Sequence, residues 1–205
     1  MMRENSIKKY PRMFALAVLA GIAIGIGGIV YLSVENKIAA ALMFTVGLYT
    51  ICVHGFNLYT GKIGYLVNQS FTYLLDLMVI WFGNLAGTGL TAAAVMQSRI
   101  KGISDIAAAI SATKINDNLF SLFLLAVFCG FLMFAAVDGY KTTQHPAILF
   151  MGVAAFILCG FEHCIADMFY YFLGGAWSAK AVTSILVITI GNSVGGMMIP
   201  LMKKI

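Results

Sequence analysis

Glu162, His163, Cys164 and Asp167 lie in the stretch GFEHCIADM (residues 160–168), inside a segment otherwise apolar enough to sit in lipid. Two carboxylates and an imidazole can hold a proton, hydrogen-bond an ion or ligate a metal. An ionisable side chain at the bilayer centre costs roughly 2.5–3.5 kcal/mol on insertion scales, so it faces a cavity or a partner and marks a route for ions or protons. The structural alternative is a polar cluster that bridges helices. As a metal site the set is incomplete. On a regular helix positions 163 and 167 would share a face, but no second His or Cys cluster at ligand spacing accompanies them, and the neighbouring glycine argues against a regular helix. No metal, cofactor or enzymatic activity is expected.

The rest of the chain has to position this cluster in a membrane. Of 205 residues, 61% are hydrophobic and 10% charged, with a mean hydropathy of +0.93. A soluble domain is about half apolar and a quarter charged, so an integral membrane protein is expected. Long continuous apolar runs, rather than strict alternation, make the spans helices and not barrel strands. The run 13–34 follows basic residues but is too long for a signal peptide and lacks a small-residue cleavage site, so it reads as a retained first span. Cys52, Cys129, Cys159 and Cys164 all fall in apolar runs without CxxC spacing and read as buried free thiols.

Six segments approach the roughly 20 residues needed to cross the hydrocarbon core: 13–34, 38–60, 71–97, 118–137, 146–173 and 181–202. The second is interrupted at His54–Lys62 and the fifth at Gly160–Asp167. Such breaks at corresponding places in two halves point to discontinuous helices and a site near the midplane. The halves echo each other. Gly55-Phe56-Asn57 precedes Gly83-Asn84-Leu85-Ala86-Gly87, and Gly160-Phe161-Glu162 precedes Gly191-Asn192-Ser193-Val194-Gly195, at glycine intervals of 28 and 31. With three spans per half, an inverted repeat is expected, residues 12–97 against 117–205.

Placing both termini in the cytoplasm puts Arg3, Lys8, Lys9, Arg12, Lys62, Lys141, Lys203 and Lys204 inside, against Lys37, Arg99, Lys101, Lys114 and Lys180 outside. The net charge of +5 reads as topology signal and contact with anionic lipid, not nucleic-acid binding. The connection 98–117 carries Ile103, Ile106, Ala107, Ile110 and Ala112 at near-helical spacing and is expected to form an interfacial helix outside. Trp177 is a candidate interface anchor.

Broken helices would turn backbone N–H groups and positive dipole ends toward a cavity, which suits a small anion. His163 adds a donor that titrates near neutral pH; Thr60 and Asn57 add uncharged hydrogen bonds. The hypothesis is an anion pathway in which His163 gives a hydrogen bond or a proton, so that the barrier is crossed with little net charge. Asn84 and Asn192 are expected to cap the freed backbone, the five glycines 83, 87, 191, 195 and 196 to admit close helix contact, and Phe44 and Phe156 to supply packing or an apolar constriction. His54, just before the first break, reads equally as a satisfied interior histidine or a pathway group, and His145 has an ordinary reading as a solvated loop residue. Rival functions are a neutral-solute or water channel, which would not need His163, and a membrane-embedded enzyme.

The motifs GFEHCIADM, NLYTGK, FGNLAG and IGNSVGG resemble the formate/nitrite transporter family along essentially the whole chain. The resemblance implies an aquaporin-like helical fold in a homopentamer, one pathway per protomer, carrying a small monovalent anion. It maps the family's central histidine to His163, its preceding glutamate to Glu162 and its loop threonine to Thr60. Leu58, Tyr59, Phe44 and Phe156 then fall at constriction positions, and Asn84 and Asn192 in a hydrogen-bond network around the breaks. Departures are Asp167, where the family usually has asparagine; Asn57, where an acidic residue is common; and His145, which by spacing stands for an anion-attracting lysine. A basic residue ahead of the first span is present as Arg12.

Overall fold

The computed structural model describes the backbone of residues 2–204 and the side chains of residues 9–204; the side chains of Arg3 and Lys8, used above for orientation, lie outside the described ones. Eight α-helices run through the described residues: α1 (Met2–Ser33), α2 (Lys37–His54), α3 (Tyr73–Met96), α4 (Ile103–Ile115), α5 (Leu119–Thr143), α6 (Ala147–Leu158), α7 (Cys164–Leu173) and α8 (Ala179–Met202), with a 3-10 helix over Ile63–Asn68.

Among the described residues five helices are long and apolar enough to cross a membrane: Lys9–Ser33 within α1, α2, α3, α5 and α8. The expected span 146–173 is not one helix. It is two short apolar ones, of 12 and 10 residues, and at 1.5 Å per residue neither reaches across a core of about 30 Å alone. The non-helical part is Cys159–His163, shorter than the expected Gly160–Asp167, because Cys164 to Asp167 already belong to α7. Likewise α2 ends at His54, six residues before the expected end of the second span.

Local chemistry sets these boundaries. Asn36 begins α2 by accepting from the N–H groups of Ile38 and Ala39, and Gly55, in the left-handed conformation at φ 67°, ends it. Gly160 has φ 68°, and in both places the next residue closes the helix end: Phe56 N–H donates to Ile51 O at 3.0 Å and Phe161 N–H to Phe156 O at 2.9 Å. Asn118 and Ser178 cap α5 and α8.

The helices pack as two matched pairs, α1 on α3 and α5 on α8, with α2 on α6 bridging them. Small residues make the pair contacts possible. A methyl at Gly87 would lie 2.9 Å from Gly21 Cα, and one at Gly195 would lie 2.7 Å from Phe131 N. Leucine at Gly195 therefore has no room without forcing α5 and α8 apart. Overpacking costs about 1–3 kcal/mol, so Gly195→Leu is expected to lower the melting temperature in detergent and the yield of folded protein, read by size-exclusion chromatography; Gly195→Ala is expected to do so less.

Several side chains sit otherwise than expected. Cys129 and Cys164 are buried, but Cys52 is half-buried and Cys159 exposed, because it ends α6 on an outward turn; all four are free. Helix α4 packs on α7 rather than lying apart, with Ala107 and Ser111 buried while Ile106 and Ala112 face outward. Trp177 is half-buried and packs against the rings of Tyr171 and Phe172 at 5.7 and 5.0 Å. Trp81 donates to Thr189 Oγ1 at 3.1 Å, joining α3 to α8.

Candidate functional site

The two interruptions are held by the same hydrogen-bond frame. In the first, Asn84 accepts from Tyr59 N–H (2.9 Å) and donates to Ala17 O and Asn57 O (2.8 Å each). In the second, Asn192 accepts from Cys164 N–H (2.9 Å) and donates to Ala126 O and Glu162 O (2.8 Å each). Both asparagines are fully buried, so their amides satisfy backbone groups that have no water to turn to. The frame equates Asn57-Leu58-Tyr59 with Glu162-His163-Cys164. Asn57 N–H and Glu162 N–H also match, donating to Leu16 O and Leu125 O.

This frame consumes many of the N–H groups expected to face a cavity. Among the described residues the N–H groups of Leu58 and His163, the central residues of the two interruptions, have no hydrogen-bond partner. Of the six N–H groups in the two matched triplets, four are thus spent on positioning.

Thr60 and His163 meet at the centre. Ala166 N–H donates to His163 Nδ1 at 3.1 Å, so that nitrogen carries no proton and the ring's hydrogen is on Nε2. Nε2 then donates to Thr60 Oγ1 at 2.9 Å, leaving the threonine hydroxyl proton for another acceptor. The Phe156 ring stacks on the imidazole at a centroid distance of 5.6 Å and meets Phe44 edge-on at 6.0 Å. Leu58, Tyr59, Phe44 and Phe156 are all buried, and Tyr59 Oη lies 2.9 Å from Ser193 Oγ.

Cavities open on both sides of this centre. One of about 140 Å³ is lined by Lys114, Phe156, His163, Asp167, Tyr31 and Tyr170 among others. The other, about 320 Å³, is lined by Leu58, Gly55, Lys62, Tyr140, Lys141 and Gln144 among others.

Lys114 is a site residue that sequence reasoning placed in an outside loop. From the last turn of α4 its ammonium ion-pairs with Glu162 and lies 3.0 Å from Asp167 Oδ1, with only 13% of its side chain exposed. Burial disfavours the ammonium, but Asp167 and Glu162 outweigh burial and hold its pKa above the ordinary lysine value. A raised lysine pKa gives stability that is lost only as pH rises through the raised value, so Lys114 stays charged from pH 5 to 8 and brings no pH dependence to that window. Asp167 Oδ2 is buried without a partner. The one signal for Lys114 in the sequence was that two carboxylates as close as 162 and 167 require a cation when buried.

His145 is elsewhere. It lies exposed in the connection between α5 and α6, where its Nδ1 accepts from Ala147 N–H. His54 is exposed at the end of α2 and stacks on Phe56. Among the described residues no group of three or more His, Cys, Asp or Glu is arranged to hold a metal.

An all-helical bundle with apolar spans, two clamped interruptions and a polar centre between cavities is the framework of a membrane transport protein. The family model described as formate/nitrite transporter matches residues 2–203, and the chain belongs to that family. Curated relatives include the formate channel FocA of Haemophilus influenzae, 26% identical over 78% of this chain and 66% of its own length. A probable formate transporter of Methanothermobacter thermautotrophicus is 27% identical over 90% of this chain and 84% of its own. Among solved structures, one described as a pentameric formate channel with formate bound has a TM-score of 0.79 at 24% identity, covering 96% of each chain. Another, an FNT family ion channel, has a TM-score of 0.85 at 20% identity, covering 95% of this chain and 89% of its own. At these identities the structural likeness establishes the fold.

Proposed function

We propose that this protein conducts small monovalent anions such as formate, nitrite or hydrosulfide across the cell membrane, with His163 supplying a hydrogen bond or a proton at the narrowest point. The observation that carries this is the Thr60–His163 hydrogen bond, set between two cavities and walled by Phe44, Phe156 and Leu58. An anion arriving there meets the Thr60 hydroxyl proton and, if it displaces Thr60, the Nε2 hydrogen of His163. The apolar walls strip its water, and a proton taken up at this point would cancel its charge. The names of the formate channel relatives support the substrate class.

In this reading the chain spans the bilayer six times, the α6–α7 pair making one broken span and α2 with the 3-10 helix another. The two halves are an inverted three-plus-three repeat, about 12–97 and 117–205, in an aquaporin-like arrangement. The matched asparagine frames support the repeat, and the pentameric neighbour supports a homopentamer with one pathway per protomer. Both termini lie in the cytoplasm of the inner membrane, and outward-facing Phe82, Phe120, Phe128 and Met151 supply surface for lipid or neighbouring protomers.

Uptake of labelled formate, nitrite and hydrosulfide into proteoliposomes from pH 5 to 8 tests the proposal. Saturable uptake by the native protein is expected, with the pH dependence lost in His163→Asn. Equal uptake by both proteins at every pH would move the assignment to a neutral-solute pore.

A further inference from the structure

The two cavities differ in charge. The smaller is lined by one ammonium, Lys114, and one carboxylate, Asp167, and that ammonium is also ion-paired with Glu162. The larger is lined by two ammonium groups, Lys62 and Lys141, and by no carboxylate.

Nor is the charge of the larger cavity neutralised from behind. Among the described residues Lys62 Nζ has no hydrogen-bond or ion-pair partner, although the residue is half-buried beside the buried Thr60 and Gly61. Lys141, exposed at the rim, donates to Tyr65 Oη at 3.0 Å rather than to a carboxylate. Asp138, the nearest acid in that chain of contacts, accepts from Tyr65 Oη at 3.1 Å and pairs with Lys203 at 3.7 Å. Tyr65 thus fixes the Lys141 ammonium at the rim while Asp138 is occupied elsewhere. A half-buried ammonium without a counter-charge is costly and calls for an anionic partner from solution. A space of about 320 Å³, the share of about ten water molecules in the liquid, admits a small anion with part of its hydration shell.

We infer that Lys62 and Lys141 form a binding site for one small monovalent carboxylate or oxyanion, at the mouth bordered by Leu58 and ahead of the Thr60–His163 centre. Lys62 is the inner ligand and Lys141 the outer one, with the Gln144 amide within the same cavity. The inference rests on the proposed anion pathway for its purpose but not for its test. Anions are concentrated at this mouth, while in the opposite cavity the ammonium of Lys114 is already paired with carboxylates and does not hold them in the same way.

The test is calorimetric titration of sodium formate, in a buffer balanced with the bulkier gluconate, into the full-length detergent-solubilised protein. Charge-assisted hydrogen bonds are worth about 1.5–3 kcal/mol, or at least about tenfold in affinity. Lys62→Met is therefore expected to weaken formate binding about tenfold or more, Lys141→Met to weaken it less, and Lys62→Arg to restore it, each variant eluting as the native assembly. Formate binding unchanged in Lys62→Met, or no binding to the native protein up to 100 mM, overturns the site. A native protein that binds formate through Lys62 but carries no anion in proteoliposomes would keep this site and remove the transport proposal. His163→Asn is expected to retain the binding while losing the pH dependence of transport.

Discussion

Replacing Lys114 with methionine is expected to destabilise the protein by about 3–5 kcal/mol and to reduce anion flux at least a hundredfold. Glu162 and Asp167 are buried to 4% and 1% exposure and both point at this ammonium. Without it two buried carboxylates face each other with no cation between them, the situation in which breaking a buried ion pair costs most. Asp167 cannot turn elsewhere, since its Oδ2 already has no partner. The second carboxylate also sets up a rescue. In Lys114→Met/Asp167→Asn only Glu162 remains charged, and about half of the lost stability is expected to return. Thermal unfolding in detergent and uptake by proteoliposomes read the two effects separately. A Lys114→Met protein as stable as the native one would mean that the cluster is solvated.

The second large effect is expected at Asn192. Leucine in its place removes three hydrogen bonds at once, leaving Cys164 N–H and the carbonyl of Glu162 buried without partners and the carbonyl of Ala126 with its helix bond alone. At about 1–3 kcal/mol for each unsatisfied buried group, Asn192→Leu is expected not to assemble, judged by size-exclusion chromatography of the solubilised membrane fraction. Asn192→Asp is the informative companion. It keeps the acceptor for Cys164 N–H but sets an oxygen against two carbonyls, so it is expected to fail nearly as badly. Survival of either variant with native flux would show that the second interruption is held by other contacts.

The sequence made the interruptions legible because each is written in local chemistry. Gly55 and Gly160 take the left-handed conformation that glycine favours, and the Asn84 and Asn192 amides fall one residue after a close-packed glycine. Thr60 and His163, 103 residues apart, were set on one pathway by the two interruptions, but their direct hydrogen bond was not foreseen, since no spacing rule joins residues on different elements. Lys114 was missed for the same reason. Its local setting, the last turn of an amphipathic helix, is that of a solvated lysine, and only the burial of Glu162 and Asp167 calls it inward. Spacing matched His145 to an anion-attracting lysine, but counting along the chain carries no information about which cavity a loop faces, and His145 lies exposed between α5 and α6. Lys62 was counted as a topology signal, and its position in a cavity wall depends on the 3-10 helix that follows it folding back on α8.

The way the segments after the interruptions pack has a consequence for biosynthesis. The 3-10 helix of the first half lies on α8, the last helix of the second, and α7 of the second half lies on α3, the last helix of the first. Each half therefore supplies the seat for the other half's returning segment, as two hands clasp. A ribosome that has released only residues up to about 100 has made a chain whose Ile63–Asn68 turn has only its slight contact with α3 to rest on. Burial of that turn waits for α8, which is made more than 100 residues later. The bundle is expected to close in one late, cooperative step rather than half by half, and halves produced as separate polypeptides are expected to become protease-resistant only when made together.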